Sequence, residues 1–285
     1  MKFIFAFLQY LVPQQWLSRL MGSLADSTLG PIKNTFILIF IKAFKVDMSE
    51  AQEPNPRSYP TFNAFFTRLL QPQARPLCSE MDAVACPADG TISQLGDIEG
   101  GQLYQAKGKQ FDLTALLGGD EYISQQFIGG KFATIYLSPK DYHRVHMPMD
   151  GQLQTMIHVP GKLFSVNNAT TQTIDSLFAR NERVVTLFDT SAGPMAVVLV
   201  GAMIVASIET SWHGVVTPIP RKITTIEYPN TNEEIQLSKG DEMGLFKLGS
   251  TAIVLFGPDM AEWQEGLQAG SKVRMGERLG SLINV

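Results

Sequence analysis

The sequence predicts an α+β protein in which N-terminal amphipathic helices precede a mainly β domain. Apolar residues recur at helical spacing through the first 46 residues. A proline-rich connector, 53–76, then interrupts this pattern and carries one short helix. Short runs of alternating apolar and polar residues follow it, separated by glycine and proline, which is typical of strands. We therefore divide the chain into a helical region, 1–70, and a mainly β domain, 71–285.

The N-terminal region contains three predicted helices. In the first, Phe3, Phe7 and Leu11 follow an i, i+4, i+8 spacing. Pro13 suits the first turn of the second helix. The apolar face of that helix consists of Trp16, Leu17, Leu20, Met21 and Leu24. Gly30-Pro31 precedes the third helix. One side of the third helix carries Ile32, Phe36, Ile39, Phe40 and Ala43.

These helices are basic, although the whole chain has a net charge of −4. The basic residues up to position 46 are Lys2, Arg19, Lys33, Lys42 and Lys45. Asp26 is the only acidic residue there, so the local charge is +4 and the remainder carries −8. Apolar helices with basic edges suit the interface of an anionic bilayer, and a helical cap packed on a core explains the pattern equally well. The overall charge gives no support for nucleic-acid binding.

The composition argues against three other kinds of protein. Cys78 and Cys86 are too few for a disulfide framework and lack metal-ligand spacing. No apolar run reaches the roughly 18–20 residues of a transmembrane helix. The opening residues lack a small-x-small cleavage site, so we interpret them as a helix and not as a signal peptide.

The β domain contains several segments that could carry chemistry. Asp89 lies in "PADG" (87–90), although Asp-Gly is also common turn chemistry. His143 and His146 lie in "SPKDYHRVHMP" (138–148), where a strand would place them on opposite faces and a helical turn on one face. No HExxH or CxxC motif is present, which favours an acid–base role over a metal site. The isolated His158 and His213 are better explained as structural residues.

Ser250 supplies a candidate nucleophile. It lies in "FKLGST" (246–251), where the Gly249-Ser250 pair separates two strand-like runs. The pair could form a bulge or a bend, or it could be a bond that is broken. Asp89, His146 and Ser250 would form a triad if the fold joins them, although many proteins contain such a set. The GxSxG motif of α/β-hydrolases is absent, and "KGDEMGLF" (239–246) lacks the Met-Lys centre of a carrier domain.

Together these segments resemble the phosphatidylserine decarboxylase family, and the resemblance covers nearly the whole chain. The matching segments are "PADG" (87–90), "YLSPKDYHRVHMP" (136–148), "GKLFSVN" (161–167), "LFARNERV" (177–184), "ETSWHG" (209–214) and "FKLGSTAIVLF" (246–256). The combination of LGST near the C-terminus with YHRVH is highly specific. Two alternatives stay open: a serine hydrolase or self-limited protease using the same triad, and a non-enzymatic β-module that binds lipid surfaces.

The resemblance implies that the chain cuts itself between Gly249 and Ser250. His146, oriented by Asp89, would deprotonate the Ser250 hydroxyl, which would attack the carbonyl of Gly249 and convert the peptide into an ester. Elimination would release residues 1–249 as the β chain. Ser250 would become a pyruvoyl group at the start of the α chain, 250–285.

The resemblance also implies the reaction and its partners. The pyruvoyl carbonyl would form a Schiff base with phosphatidylserine and act as an electron sink during decarboxylation to phosphatidylethanolamine. His143 is the candidate for placing a proton on Cα and for positioning the substrate carboxylate. No metal is implied. The α and β chains would stay associated on the cytoplasmic face of the cell membrane as a peripheral enzyme on anionic lipid, and a homodimer is compatible with this interpretation.

Overall fold

The structure is a computed structural model that describes residues 9–10, 13–106, 108–203, 207–217, 222–230, 234–248 and 250–283. The side chains of Gln15, Arg19, Asn168 and Ser250 are outside this description. The helices are α1 Gln14–Ala25, α2 Gly30–Phe44, α3 Phe62–Phe66, α4 Leu113–Leu116, α5 Glu121–Gln125, α6 Asn168–Thr173 and α7 Leu177–Arg180. Short 3-10 helices span Pro56–Ser58, Pro72–Ala74 and Tyr228–Asn230. Helices precede a mainly β region, so the predicted α+β class is confirmed.

The helical region packs through aromatic side chains. The ring of Phe36 in α2 stacks on Phe62 of α3, with centroids 4.2 Å apart, and Phe40 meets the same ring edge-on at 5.0 Å. Ile32 and Ile39 point away from this cluster and are 51% and 60% exposed. Helical spacing does place the five predicted residues on one side of α2, but only Phe36 and Phe40 of them pack against this cluster.

The two longest described helices, α1 and α2, are each shorter than the thickness of a bilayer requires. Within the described residues, no single helix is both long and apolar enough to cross a membrane. Trp16–Ala25 and Gly30–Phe44 reach that length and composition only as a pair, with a bend of 110° between them. The first predicted helix, with Phe3, Phe7 and Leu11, lies outside the described residues.

The β region contains eighteen strands within the described residues. Their bounds are β1 Ala83–Ala85, β2 Gly90–Asp97, β3 Gln102–Ala106, β4 Lys109–Asp112, β5 Lys131–Leu137, β6 Arg144–His146, β7 Gly151–Val159, β8 Arg183–Thr190, β9 Gly193–Val200, β10 Ser207–Thr210, β11 Gly214–Val215, β12 Thr224–Glu227, β13 Gln236–Leu237, β14 Glu242–Lys247, β15 Ser250–Phe256, β16 Ala261–Trp263, β17 Lys272–Val273 and β18 Arg278–Leu282.

Nine of these strands form one antiparallel sheet. Its order is β12-β7-β8-β9-β15-β5-β2-β17, and β13 also pairs with β7. Smaller sheets have the orders β11-β10-β14-β6, β1-β18-β16 and β3-β4. Strand β15 lies inside the large sheet, between β9 and β5. Its residues 251–256 are buried, as expected for an apolar run covered on both faces.

Candidate active site

Two sequence-predicted residues, Asp89 and Ser250, lie at one edge of the large sheet. Strand β5 is antiparallel to both of its neighbours, β2 and β15. Ser250 pairs with Leu137 at the end of β5, and Thr91 at the start of β2 pairs with Tyr136. Asp89, which precedes β2, therefore lies at the same edge of the sheet as the backbone of Ser250.

The "PADG" turn depends on its glycine because the chain passes very close to β5. A Cβ atom at Gly90 would lie 2.4 Å from the carbonyl oxygen of Tyr136 and 3.0 Å from the side chain of Ile135. Backbone atoms cannot yield to such an overlap without moving the strand. Gly90 thus allows the close approach that positions Asp89 at the sheet edge.

Backbone hydrogen bonds connect His146 to the "PADG" turn and His143 to the segment before Ser250. The N–H of His146 donates to the carbonyl of Pro87 at 2.8 Å. The N–H of Phe246 donates to the carbonyl of His143 at 3.0 Å. Strand β6 also pairs with β14, with Glu242 opposite His146. These contacts bring the "PADG", "YHRVH" and "FKLG" segments into one site.

His146 is positioned to accept a proton. Its Nδ1 lies 2.8 Å from the carbonyl oxygen of Gly240, and its Nε2 lies 3.3 Å from the hydroxyl of Tyr142. A carbonyl only accepts hydrogen bonds, so this network assigns the proton to Nδ1 and leaves Nε2 as the acceptor. Burial lowers the pKa of His146, although the Gly240 carbonyl acts in the opposite direction. Burial also raises the pKa of Tyr142 to about 12, so its hydroxyl stays protonated at neutral pH.

Asp89 forms a different partnership from the expected one. Its carboxylate accepts bonds from Arg75 Nε at 2.8 and 3.0 Å and from Arg75 Nη2 at 2.5 Å. The backbone N–H of Met275 donates to it at 2.9 Å. Arg75 also pairs with Glu50 at 2.8 Å, and these two carboxylates raise the pKa of its guanidinium.

Asp89 was predicted to orient His146, but no direct hydrogen bond joins these two side chains in this structure. The carbonyl of Gly240 occupies Nδ1, the ring atom that an orienting carboxylate would use. The negative charge of Asp89 still favours the protonated form of His146, but as the last of the effects on that pKa. Asp89 affects the imidazole of His146 by a long-range electrostatic interaction and not by a direct contact.

His143 directly precedes β6 and is fully buried. Its ring stacks on Phe66, with centroids 4.0 Å apart and an angle of 23° between the planes. Burial lowers its pKa to about 3, and the nearby Arg68 guanidinium adds to this shift. The backbone of Ser138 and of Pro139 acts in the opposite direction, although neither ring nitrogen makes a well-formed hydrogen bond among the described residues. Because its pKa is so low, His143 is neutral at pH 7.

Leu248, one residue before the predicted cleavage bond's Gly249, has an unusual backbone. Leu248 has φ of 77°, in the left-handed region that non-glycine residues rarely enter. Its side chain is buried with Phe62, Phe65 and Phe66, and this packing holds the strained conformation. Gly249 and the side chain of Ser250 lie outside the described residues.

Sequence reasoning missed the residues that support the site. Arg75 lies in the proline-rich connector, where nothing in the sequence distinguishes it from a solvated arginine. Gly240 contributes only a carbonyl group, which any residue has. Tyr142 was within the quoted "YHRVH" segment, and its position four residues before His146 was the available signal.

The site defines a class of β-domain enzyme in which a serine opens a central strand at the sheet edge beside a "PADG" turn, and this turn is hydrogen-bonded to a histidine segment. Comparison with known proteins specifies the family. The profile described as "Phosphatidylserine decarboxylase" matches residues 62–281, and one described as "PSD" matches residues 4–45. The chain belongs to the phosphatidylserine decarboxylase family.

Individual relatives are similar over nearly their full length. A protein named "Phosphatidylserine decarboxylase proenzyme" from Ectopseudomonas mendocina (strain ymp) is 58% identical over 279 residues, which cover 98% of each chain. A protein of the same name from Pseudomonas putida (strain F1) is 57% identical over 281 residues, again covering 98% of each chain. A third, from Pseudomonas aeruginosa (strain LESB58), is 58% identical over 272 residues, covering 95% of this chain and 94% of the relative.

Proposed function

We propose that this chain is made as a proenzyme, cuts itself between Gly249 and Ser250, and then decarboxylates phosphatidylserine to phosphatidylethanolamine. The observation that carries the proposal is the placement of Ser250. It opens a central strand two residues after the strained Leu248, at the sheet edge that also holds Asp89. A mere bend does not need this strain.

The cleavage follows from the protonation state of His146. Its Nε2 takes the proton of the Ser250 hydroxyl, whose oxygen attacks the carbonyl carbon of Gly249. The protonated imidazole then gives that proton to the departing amide nitrogen, which leaves an ester. The charge of Asp89 stabilises the imidazolium in between. Loss of the Cα proton of residue 250 expels residues 1–249 as a carboxylate, and hydrolysis of the resulting enamine releases ammonia.

The product of this sequence is a pyruvoyl group at residue 250. Its precursor fits the site, because Ser250 heads a strand fixed on both sides by β5 and β9 and its backbone cannot drift. The group supplies an electron sink for the charge left on Cα when CO2 departs. The fixed strand holds residue 250 in one place relative to His143 and His146.

His143 serves the second reaction in this proposal. Its pKa of about 3 shows that the imidazole holds no second proton at neutral pH in the uncut chain. An anionic substrate nearby favours the charged imidazole and raises that pKa. In this proposal the bound substrate would have to supply the proton-holding environment that the uncut chain lacks, and His143 would then deliver a proton to Cα after CO2 leaves. The variant His143→Ala should be cut at Gly249 and should decarboxylate poorly.

Intact mass spectrometry of the purified protein tests the cleavage. The wild-type chain should give two fragments that meet at residues 249 and 250, with the second fragment lacking a free amino group. Ser250→Ala should remain one chain and release no CO2 from phosphatidylserine. Ser211→Ala, at an exposed serine in a turn, is the matched control and should be cut normally. A wild-type chain that stays whole and hydrolyses esters would instead identify a serine hydrolase.

The helical region supports a further part of the proposal, peripheral attachment to the anionic cytoplasmic face of the cell membrane. Exposed apolar side chains cover α1, α2 and the turn between them: Trp16, Leu20, Leu24, Leu29, Ile32, Leu38, Ile39 and Phe44. Burial of each in lipid is worth roughly 1.5–3 kcal/mol. Phe3, Phe7, Leu11 and Lys2, which were also expected at this surface, lie outside the described residues.

Vesicle co-sedimentation tests this attachment. The triple variant with Trp16, Leu20 and Leu24 replaced by serine should bind anionic vesicles much more weakly than the wild-type chain. High salt should release the wild-type chain only partly, because salt screens charge and leaves apolar contacts intact. Equal binding by both chains would show that these helices are a cap. Association of two copies into a homodimer remains a prediction from the family resemblance.

A further inference from the structure

A polar cavity of about 250 Å³ adjoins the candidate active site. Asp89 and Ser138 line its inner part, and Ser138 directly follows Leu137, the strand partner of Ser250. Lys45 lines the side nearest the helical region. The cavity therefore connects the end of α2 with the sheet edge at which Ser250 lies.

The acidic side chains of this cavity already have partners. Asp89 and Glu50 both pair with Arg75, and Glu50 also lies 3.3 Å from Arg274. The carboxylate of Asp141 accepts hydrogen bonds of 2.7 Å from the backbone and the side chain of Ser138. Asp47 accepts hydrogen bonds of 2.9 and 2.7 Å from the backbone and the side chain of Ser49. Six basic residues line the cavity against these four acidic ones, so positive charge remains for a ligand.

Arg68 is the buried part of that positive charge. It is 4% exposed and lines the cavity, and its Nη2 donates to the carbonyl of Lys140 at 3.1 Å. Its Nε and Nη1 have no hydrogen-bond partner among the described residues. Its guanidinium carbon lies 5.5 Å from the centre of the Phe65 ring. A buried cation with unused donors is costly, which indicates that an anion completes its surroundings.

We propose that Arg68 binds the phosphodiester group of the phospholipid substrate. The inference rests on the proposed function for the identity of the substrate. Arginine presents paired N–H donors that match two phosphate oxygens. The other anion of the headgroup, the carboxylate, loses its charge when it leaves as CO2. A cation bound there would stabilise the substrate more than the transition state, whereas the phosphodiester keeps its charge throughout.

The surroundings of the cavity fit a lipid headgroup. Phe44 and Leu69 are 43% and 46% exposed, and each is adjacent in sequence to a basic lining residue, Lys45 and Arg68. Acyl chains can therefore lie against apolar surface while the phosphate enters the cavity. Lys140, which is exposed, adds positive charge at its rim.

Calorimetry on the Ser250→Ala chain tests the phosphate site without any need for cleavage or turnover. The probes are sn-glycerol 3-phosphate and L-serine, which carry the phosphate and the carboxylate separately. Adding Arg68→Met should weaken glycerol 3-phosphate binding by about 10- to 100-fold, the usual value of a charge-assisted hydrogen bond, and leave L-serine binding unchanged. The affinity of Arg68→Lys for glycerol 3-phosphate should lie between those of the parent chain and Arg68→Met, because lysine keeps the positive charge but lacks the paired N–H donors of arginine.

Arg278→Met is the control, since Arg278 pairs with Asp82 and does not line the cavity. A thermal melt of each variant verifies that it is folded. Equal affinity of the Arg68→Met and parent chains for glycerol 3-phosphate overturns the inference. So does the absence of glycerol 3-phosphate binding to the parent chain, or loss of L-serine binding alone. An uncut wild-type protein would refute the proposed function and leave this binding result intact.

Steady-state kinetics of the cleaved enzyme provide a second test of the phosphate site. Arg68→Met should raise KM for a short-chain phosphatidylserine by a similar factor and change kcat much less, because the phosphate is bound equally in substrate and transition state. A fall in kcat with KM unchanged would show that Arg68 acts on His143 or on the reacting atoms, and would contradict a phosphate site.

Discussion

The burial of His143 should make the stability of the protein depend on pH in a way that one substitution removes. Above pH 6.5, the ordinary pKa of histidine, the ring is neutral in the folded and the unfolded chain. Below it the unfolded chain takes up a proton, whereas the folded chain does not until the pH approaches about 3. Stability is therefore fully present above pH 6.5 and is lost progressively as the pH falls through this window.

The size of the effect follows from the two pKa values. At pH 5, an unfolded-state pKa of 6.5 and a folded-state value near 3 reduce the free energy of unfolding by about 2 kcal/mol relative to pH 7.5. The figure changes little if the folded-state value is one unit higher. His143→Leu should lack this part of the pH dependence, because leucine does not titrate and fills a similar volume against Phe66.

Urea unfolding at pH 7.5 and pH 5 measures the effect, with both chains in the uncut Ser250→Ala background. The chain with His143 should lose about 2 kcal/mol more between the two conditions than His143→Leu. Contributions from other titrating groups cancel in this comparison. His213→Leu, at an exposed histidine, is the control and should leave the difference in place. Equal losses with and without His143 would refute the claim that this ring is buried and neutral.

Two further substitutions test the framework of the site. Arg75→Met should destabilise the chain by about 3–5 kcal/mol in urea unfolding, because Asp89 is left buried without its partner. Arg274→Met, at an exposed arginine, should cost less than about 1 kcal/mol. Gly90→Ala should lower the melting temperature and slow cleavage, since its Cβ would meet the carbonyl oxygen of Tyr136. Gly30→Ala, where the Cβ meets no atom within 4 Å, should leave both unchanged.

The parts of the fold that the sequence could predict are those in which a repeating pattern reports burial. Alternation in "KFATIYL" and the apolar run "STAIVLF" became β5 and β15. Helical spacing after Pro13 and Pro31 became α1 and α2. The spacing grouped Ile32, Phe36, Ile39, Phe40 and Ala43 on one side of α2, but hydropathy alone does not indicate that only the two phenylalanines meet α3. The division at residue 70 stays a prediction.

The partners of the candidate site residues could not be predicted from the sequence. Sequence motifs identified Asp89, His143, His146 and Ser250 as candidates. The distances between these residues depend on how the strands that carry them are paired. Asp89 pairs with an arginine fourteen positions earlier, and His146 with a carbonyl ninety-four positions later. Such contacts depend on which segments meet after folding. Their effects on charge and protonation therefore require coordinates.

The position of β15 affects whether the protein could refold after the proposed cleavage. The strand is paired along its length with β5 and β9, so residues 250–285 must be in place before the bond beside Ser250 is attacked. Folding of the uncut chain is unimolecular. After the proposed cleavage, unfolding releases two fragments, and refolding becomes a bimolecular search whose rate depends on concentration. The proposed cleavage would thus give a native arrangement that the chain reaches once and, at cellular dilution, does not readily reach again.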